Sequence, residues 1–230
     1  MDAAIIVAII ALVASVLTAG VSLYGQTHSL ALTARREAAA TLSRYREPLV
    51  ASAYELQSRL YNILRQDFLQ KYFVDGDEKQ RQYAIRNTQF LVGQYLGWTE
   101  ILRRRIQLLD FGEVQETREV SRLQGEIQDL FASDETPMGK PFMIWRGEQR
   151  AIGERMIVGD DRDLLCMGYA AFIEQADASF WRWLDPLERD IQVVADVPND
   201  RLRLLQHALI DLIERLDVGH VRFPERIERA

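Results

Sequence analysis

The chain has 230 residues, 48% hydrophobic and 27% charged, with 13 Gly and 6 Pro. That composition excludes a disordered, collagen-like or low-complexity chain, and the length suits one sizeable domain or two small ones. A formal net charge of −6 argues against a broad nucleic-acid-binding surface, and a lone Cys166 excludes an internal disulfide framework or a Cys-rich zinc site.

Residues 3–25 read AAIIVAIIALVASVLTAGVSLYG, 23 residues without a charge. As a helix rising 1.5 Å per residue this segment is about 34 Å long, enough to cross a hydrocarbon core of about 30 Å. Its strongest polar groups are Ser15, Thr18 and Ser22, whose hydroxyls can bond back to helix carbonyls. Tyr24 sits where an aromatic headgroup anchor belongs. A cleaved secretory signal fits less well, since Met1-Asp2 offers no basic start and the apolar run is long. Residues 1–25 therefore read as a single-pass transmembrane anchor. Arg35, Arg36, Arg44 and Arg46 follow the span and no Lys or Arg precedes it, which puts the N-terminus outside and the rest in the cytoplasm of a plasma membrane.

Within the span, Ala4, Ala8, Ala11, Ser15, Thr18 and Ser22, continued by Gly25 and Ser29, recur in steps of 4 and 3. Such a seam of small side chains lets two membrane helices approach closely, so self-association through this face is expected. The competing explanation is that small residues simply abound here.

Residues 26–47, rich in Ala, Leu and Arg, read as a helical stalk continuing the anchor. Pro48 marks a kink or a new first turn, opening an all-α domain over 48–224. Its first helix is expected to reach about Tyr72, with Leu49, Ala53, Leu56, Leu60 and Leu64 on one face and Val50, Tyr54, Tyr61, Phe68 and Tyr72 widening it. A turn at 74–77 leads to a long helix from about Glu78 to Asp110, burying Tyr83, Phe90, Leu91, Tyr95, Trp98, Ile101, Leu102, Leu108 and Leu109. Arg103, Arg104 and Arg105 point in three directions and read as a solvated face.

The next helix runs from about Glu113 to Ala132 and carries Val120, Leu123, Ile127, Leu130 and Phe131. Residues 133–168 break the rhythm with Pro and Gly around one helical stretch, RGEQRAIGERMI. Short helices follow over Tyr169–Glu174, around Phe180, Trp181 and Trp183 with Asp177 or Ser179 as cap, and from Asp185-Pro186 to Val194. Pro198-Asn199-Asp200 starts the last helix, with Leu202, Leu205, Leu209, Leu212, Ile213 and Leu216 inside, and an irregular tail closes the chain at 225–230.

The richest polar set is Arg146, Glu148, Arg150, Glu154 and Arg155. Helical spacing groups Arg146, Arg150 and Glu154 on one face, as an anion clamp or as an ion-pair lattice holding the irregular segment to the bundle. His207 and Asp211 stand four apart but lack the partners of a bundle metal site, and Cys166 among apolar neighbours reads as an inert thiol. No nucleotide-loop, nucleophile-elbow or metalloprotease motif is present, so no metal, cofactor or catalytic residue is assigned.

The runs RYREPLVASAYELQSRLYNIL, QYLGWTEILRRRIQ, RGEQRAIGERMI and LQHALIDLIERLD resemble an uncharacterised actinobacterial family of single-pass, membrane-anchored α-helical proteins. The use of 25 Arg against 3 Lys suits a high-GC genome of that kind. The resemblance implies the architecture only. The expected function is a membrane-tethered interaction or regulatory module, self-associating and engaging a cytoplasmic protein. The alternatives are a small-ligand or anion sensor or enzyme using Arg146–Arg155, and an oligomeric membrane-disrupting effector.

Overall fold

The helical periodicity of the sequence becomes, in the computed structural model, a bundle organised around one long central helix. The structure describes residues 44–107, 115–135, 141–160, 163–175, 177–194, 200–217, 219, 222–223 and 227–230, with Ser15, Thr18, Ser22, Tyr24, His28, Ser29 and Thr33. Ala4, Ala8, Ala11, Arg35, Arg36, Leu108, Leu109, Glu113, Pro198 and Asn199 lie outside the described residues. The seven isolated positions from Ser15 to Thr33 are all helical and exposed. Tyr24 stacks on His28 at 6.1 Å, and Thr33 donates to the Ser29 carbonyl at 3.0 Å, both one helical turn apart. Among the described residues no helix is long and apolar enough to cross a membrane, and the segment expected to do so is mostly outside them.

Helix α1 spans 44–65 and runs through Pro48, so of the two alternatives the sequence offered, a kink or a new first turn, the proline does not form a first turn. Leu49, Ala53, Leu56 and Leu60 are buried as the spacing requires, and Leu64 packs on the same core. The helix does not continue to Tyr72. It stops at a bend where Asp67 takes φ 51°, a left-handed conformation that Asp tolerates better than most residues. A π-helical turn, Gln70–Val74, follows, its last carbonyls braced by Arg81, which donates to the Phe73 oxygen at 3.1 Å.

Helix α2, Glu78–Gln107, starts at a reciprocal cap. Asp77 accepts from the Gln80 amide at 2.8 Å, and the Gln80 side chain accepts from the Asp77 amide at 2.9 Å. Phe90, Leu91, Tyr95, Ile101 and Leu102 are buried on it, Trp98 is half-buried, and Tyr83, expected inside, is 48% exposed. Helix α3, Gln115–Ala132, buries Val120, Leu123, Ile127 and Phe131. Helix α4, Arg146–Met156, lies across α2 at close range. A Cβ on Gly153 would stand 2.7 Å from the Leu96 carbonyl oxygen, so only glycine fits the crossing.

Where the sequence showed no strand pattern, α4 runs into a small hairpin, β1 (Ile157–Val158) antiparallel to β2 (Leu165–Cys166), with Ile157 opposite Cys166. Two residues per strand are too few for period-2 alternation to register. Gly159, at φ 96°, turns the chain out of β1. Helices α5 (Tyr169–Glu174), α6 (Ala178–Trp181) and α7 (Asp185–Val194) then close one end of the bundle. Asp177 caps α6 by accepting from the Ser179 amide at 2.8 Å. Phe172, fully buried, meets Phe90, Phe180 and Trp181 edge-on at centroid distances of 5.4, 5.5 and 5.1 Å. Such edge-on pairs add about 0.5–1.5 kcal/mol each beyond burial.

Helix α8, Asp200–Leu216, buries Leu202, Leu205, Leu209, Leu212, Ile213 and Leu216 and packs on α3. Its neighbours are tied by buried amides: Gln206 donates to Gln57 on α1 at 3.1 Å and to the Glu228 carbonyl at 2.8 Å. The described residues near the C-terminus, 222–223 and 227–230, form no helix or strand and dock on the bundle. Phe223 stacks on Tyr54 at 3.9 Å, and Arg229 reaches Asp211 at 2.7 Å.

Candidate functional site

Helix α4 begins where Trp145 leaves extended backbone, and Glu148 accepts from the Trp145 amide at 3.0 Å. That bond uses the carboxylate as the helix's own cap, turned away from any clamp. Arg146 donates to Asp129 at 2.5 Å and to the Gln128 side chain at 3.0 Å, anchoring the first turn of α4 to α3. Arg150 is exposed, with no hydrogen-bond or ion-pair partner among the described residues. Glu154 stands 3.7 Å from Arg104, and Arg155 reaches Asp177 at 3.4 Å and Ser179, away from the rest. Of the five charges, Arg146, Glu154 and Arg155 are engaged as ties to other elements, Glu148 caps its own helix, and Arg150 is left over.

Two of the expected residues do come together. Arg146 and Arg150 border a cleft of about 300 Å³ between α4 and α2, with Thr99, Glu100, Arg103 and Gln149 in its wall. The inner pair belongs to α2: Glu100, 4% exposed, accepts two bonds of 2.6 Å from Arg103 and one of 2.9 Å from Arg104. Burial alone would raise the Glu100 carboxyl, but the bonds and charges of Arg103 and Arg104 outweigh it and hold it below the usual carboxylate range. Arg103 and Arg104, expected as solvated, therefore enclose a buried carboxylate. The third member of that run, Arg105, keeps its Nε and one Nη buried without acceptors.

The floor is less settled electrostatically. Gln149 is buried and donates to the Gln128 and Ile144 carbonyls at 2.9 and 2.7 Å, leaving its own oxygen without a donor. The Thr99 hydroxyl is buried without a partner of good geometry. Burial also raises the phenol of Tyr95, one turn earlier, with a smaller opposing effect from Thr99 beside it. The cleft thus combines an unengaged guanidinium at the rim with unsatisfied polar atoms behind it, an arrangement suited to a small anion carrying a hydrogen-bond donor. Thr99, Glu100 and Gln149 were not distinguishable in sequence. Each stands in an α2 or α4 pattern as an ordinary polar residue, and only the Gly153 crossing brings them face to face.

The other candidates serve the scaffold. His207 Nε2 lies 2.9 Å from the Ala230 carbonyl and Asp211 pairs with Arg229, so both hold the tail. Among the described residues no three His, Cys, Asp or Glu side chains converge as metal ligands. Burial raises the Cys166 thiol to about 12, with a smaller lowering by the Met167 amide, consistent with a poor nucleophile. Compared with known protein families, curated proteins and solved structures, the chain matches none.

Proposed function

We propose that the chain is a membrane-tethered helical interaction or regulatory module that self-associates through its anchor and presents the bundle to a cytoplasmic protein. The uncharged run over 3–25 carries this reading, because 23 residues of that composition gain far more in lipid than in water. Two further observations support it. The described members of the small-residue seam, Ser15, Thr18, Ser22 and Ser29, are helical and exposed. The bundle also leaves Trp145 61% exposed, a large amphipathic ring of the kind enriched at protein interfaces. Kinship with the actinobacterial single-pass proteins belongs to the same proposal. Crosslinking of the full chain in native membrane tests self-association: dimers are expected, and Ala8→Leu, Ala11→Leu and Ser15→Leu together should remove them. Crosslinks unchanged by that triple variant refute the seam.

A second reading, a small-anion sensor at the α2–α4 cleft, is favoured by the unengaged Arg150 beside the unsatisfied Gln149 oxygen. It predicts that inorganic phosphate or bicarbonate, each carrying an O–H donor, raises the melting temperature of the full chain more than acetate does and that Arg150→Ala cancels the effect. Equal stabilisation of both proteins removes the cleft from consideration.

A further inference from the structure

A second, larger cleft of about 900 Å³ opens at the corner where α1 ends, the π-turn forms and α2 begins. Its backbone is irregular: Asp67 at positive φ, then five residues of π-helix, both unusual conformations that recur at binding sites. Its volume lies within the range of small-molecule sites.

The charge in this corner is lopsided. Arg59, Arg65, Lys71 and Lys79 line it, against Asp67 and Asp77. Asp77 is committed to the α2 cap, and Lys71 donates to the Gln66 carbonyl at 3.0 Å, whereas Arg65 and Lys79 are exposed with no hydrogen-bond or ion-pair partner among the described residues. Behind them lies Arg59, only 7% exposed. One terminal nitrogen donates to Asn87 at 2.5 Å, and the other is buried without an acceptor of hydrogen-bond geometry. Desolvation pulls the Arg59 guanidinium below its usual value, with the nearby Tyr83 hydroxyl offsetting only part of this. A buried guanidinium that has no anionic partner and one terminal nitrogen without an acceptor is stabilised by an anion brought to it.

The walls add aromatic surface. Arg59 lies over the Phe68 ring at 3.9 Å and over Tyr83 at 5.6 Å. Tyr72 and Tyr83 are 40% and 48% exposed, large rings left open to solvent at the cleft. Two available π-faces beside a net positive surplus of two match a ligand with a planar ring and a doubly charged phosphate.

We propose that the α1–α2 corner is a nucleoside monophosphate site. The phosphate is held by Arg65 and Lys79, with Arg59 behind them, and the base lies against Tyr72 or Tyr83. This site is distinct from the α2–α4 cleft and independent of the membrane anchor.

The test is calorimetric titration of the full chain in detergent with AMP, GMP, CMP and UMP, alongside adenosine and inorganic phosphate. At least one nucleotide should bind saturably with Kd tighter than about 1 mM and at least tenfold tighter than either adenosine or phosphate. Arg65→Glu with Lys79→Glu, both on exposed side chains, should weaken that binding tenfold or more while leaving the melting temperature within a few degrees. Tyr72→Ala with Tyr83→Ala should weaken the nucleotide but not inorganic phosphate. Absence of binding by all four nucleotides, equal binding of phosphate, or nucleotide binding indifferent to the charge reversal would each overturn the assignment.

Discussion

Arg201 is the side chain whose removal should cost this domain most. It sits in the first turn of α8, wholly buried, and reaches across to the C-terminal end of α3. There Nη1 donates to the Leu130 carbonyl and, at 3.2 Å, to that of Phe131, while Nη2 donates to the Ser133 carbonyl at 2.6 Å. These are carbonyls that a helix end leaves without intrahelical partners, and the positive charge also meets the negative end of the α3 dipole. Burial lowers the Arg201 pKa, partly opposed by Asp190 on α7. Arg201→Met preserves much of the volume and removes every donor. The Phe131 carbonyl keeps the Ile144 amide at 2.9 Å, so two carbonyls, of Leu130 and Ser133, are orphaned; at about 1–3 kcal/mol each they set an upper range of about 2–6 kcal/mol. Rehydration at the helix end and relief of the guanidinium's own desolvation reduce this to about 2–4 kcal/mol. At about 2–4 °C per kcal/mol for a domain of this size, the melting temperature should fall by roughly 4–16 °C. Urea unfolding of the full chain in detergent, followed by far-ultraviolet circular dichroism, measures the loss directly. A change below about 1 kcal/mol, or a gain, would mean that the α3 end does not depend on this cation.

Three other changes have definite expected outcomes. Gly153→Ala forces a Cβ to 2.7 Å from the Leu96 carbonyl and 2.9 Å from the Glu100 Cβ, so a loss of about 1–3 kcal/mol is expected in a thermal melt, whereas Gly147→Ala, with open space at its Cβ, should be neutral or stabilising. Glu100 has a folded pKa below its unfolded value of about 4.3, so its contribution is full above that pH and disappears as pH falls through the folded value. Glu100→Gln should therefore flatten the stability-versus-pH curve between about pH 5 and 3, and an unchanged slope would contradict the Arg103–Arg104 cradle. With its thiol raised from 9.0 to about 12, native Cys166 should react with a thiol reagent at pH 8 on the order of a thousandfold more slowly than in the unfolded chain. Comparable rates in the two states would show an open thiol.

Much of the architecture was legible because helical burial repeats over many residues. The inner stripe of α8 and the bounds of α5 and α7 follow from spacing and caps, whereas for the α6 cap the sequence offered Asp177 or Ser179 and the structure selects Asp177. What escaped depends on contacts between distant residues. Tyr83 has the spacing of a core residue but faces the α1–α2 corner, where the break at Asp67 carries the chain away and uncovers it. Phe142 takes φ 59° while buried, held by its amide bond to Asp190 at 2.9 Å, a strain no local pattern announces. Arg201 has the composition signature of an exposed helix arginine, and its burial follows only from the α3–α8 packing. For the candidate site, the arginine and glutamate set over 146–155 was visible, but the way it divides was not: α3 claims Arg146, α2 claims Glu154 and the α6 cap claims Arg155, leaving Arg150 unengaged.

The attachment to a bilayer is open to one decisive measurement. The full chain, expressed without tags at its N-terminus, should float with lipid vesicles in a density gradient and stay with them through high salt and alkaline carbonate, which strip peripheral proteins. Recovery of the intact chain in the soluble fraction without detergent would contradict the proposed anchor and, with it, the tethered module.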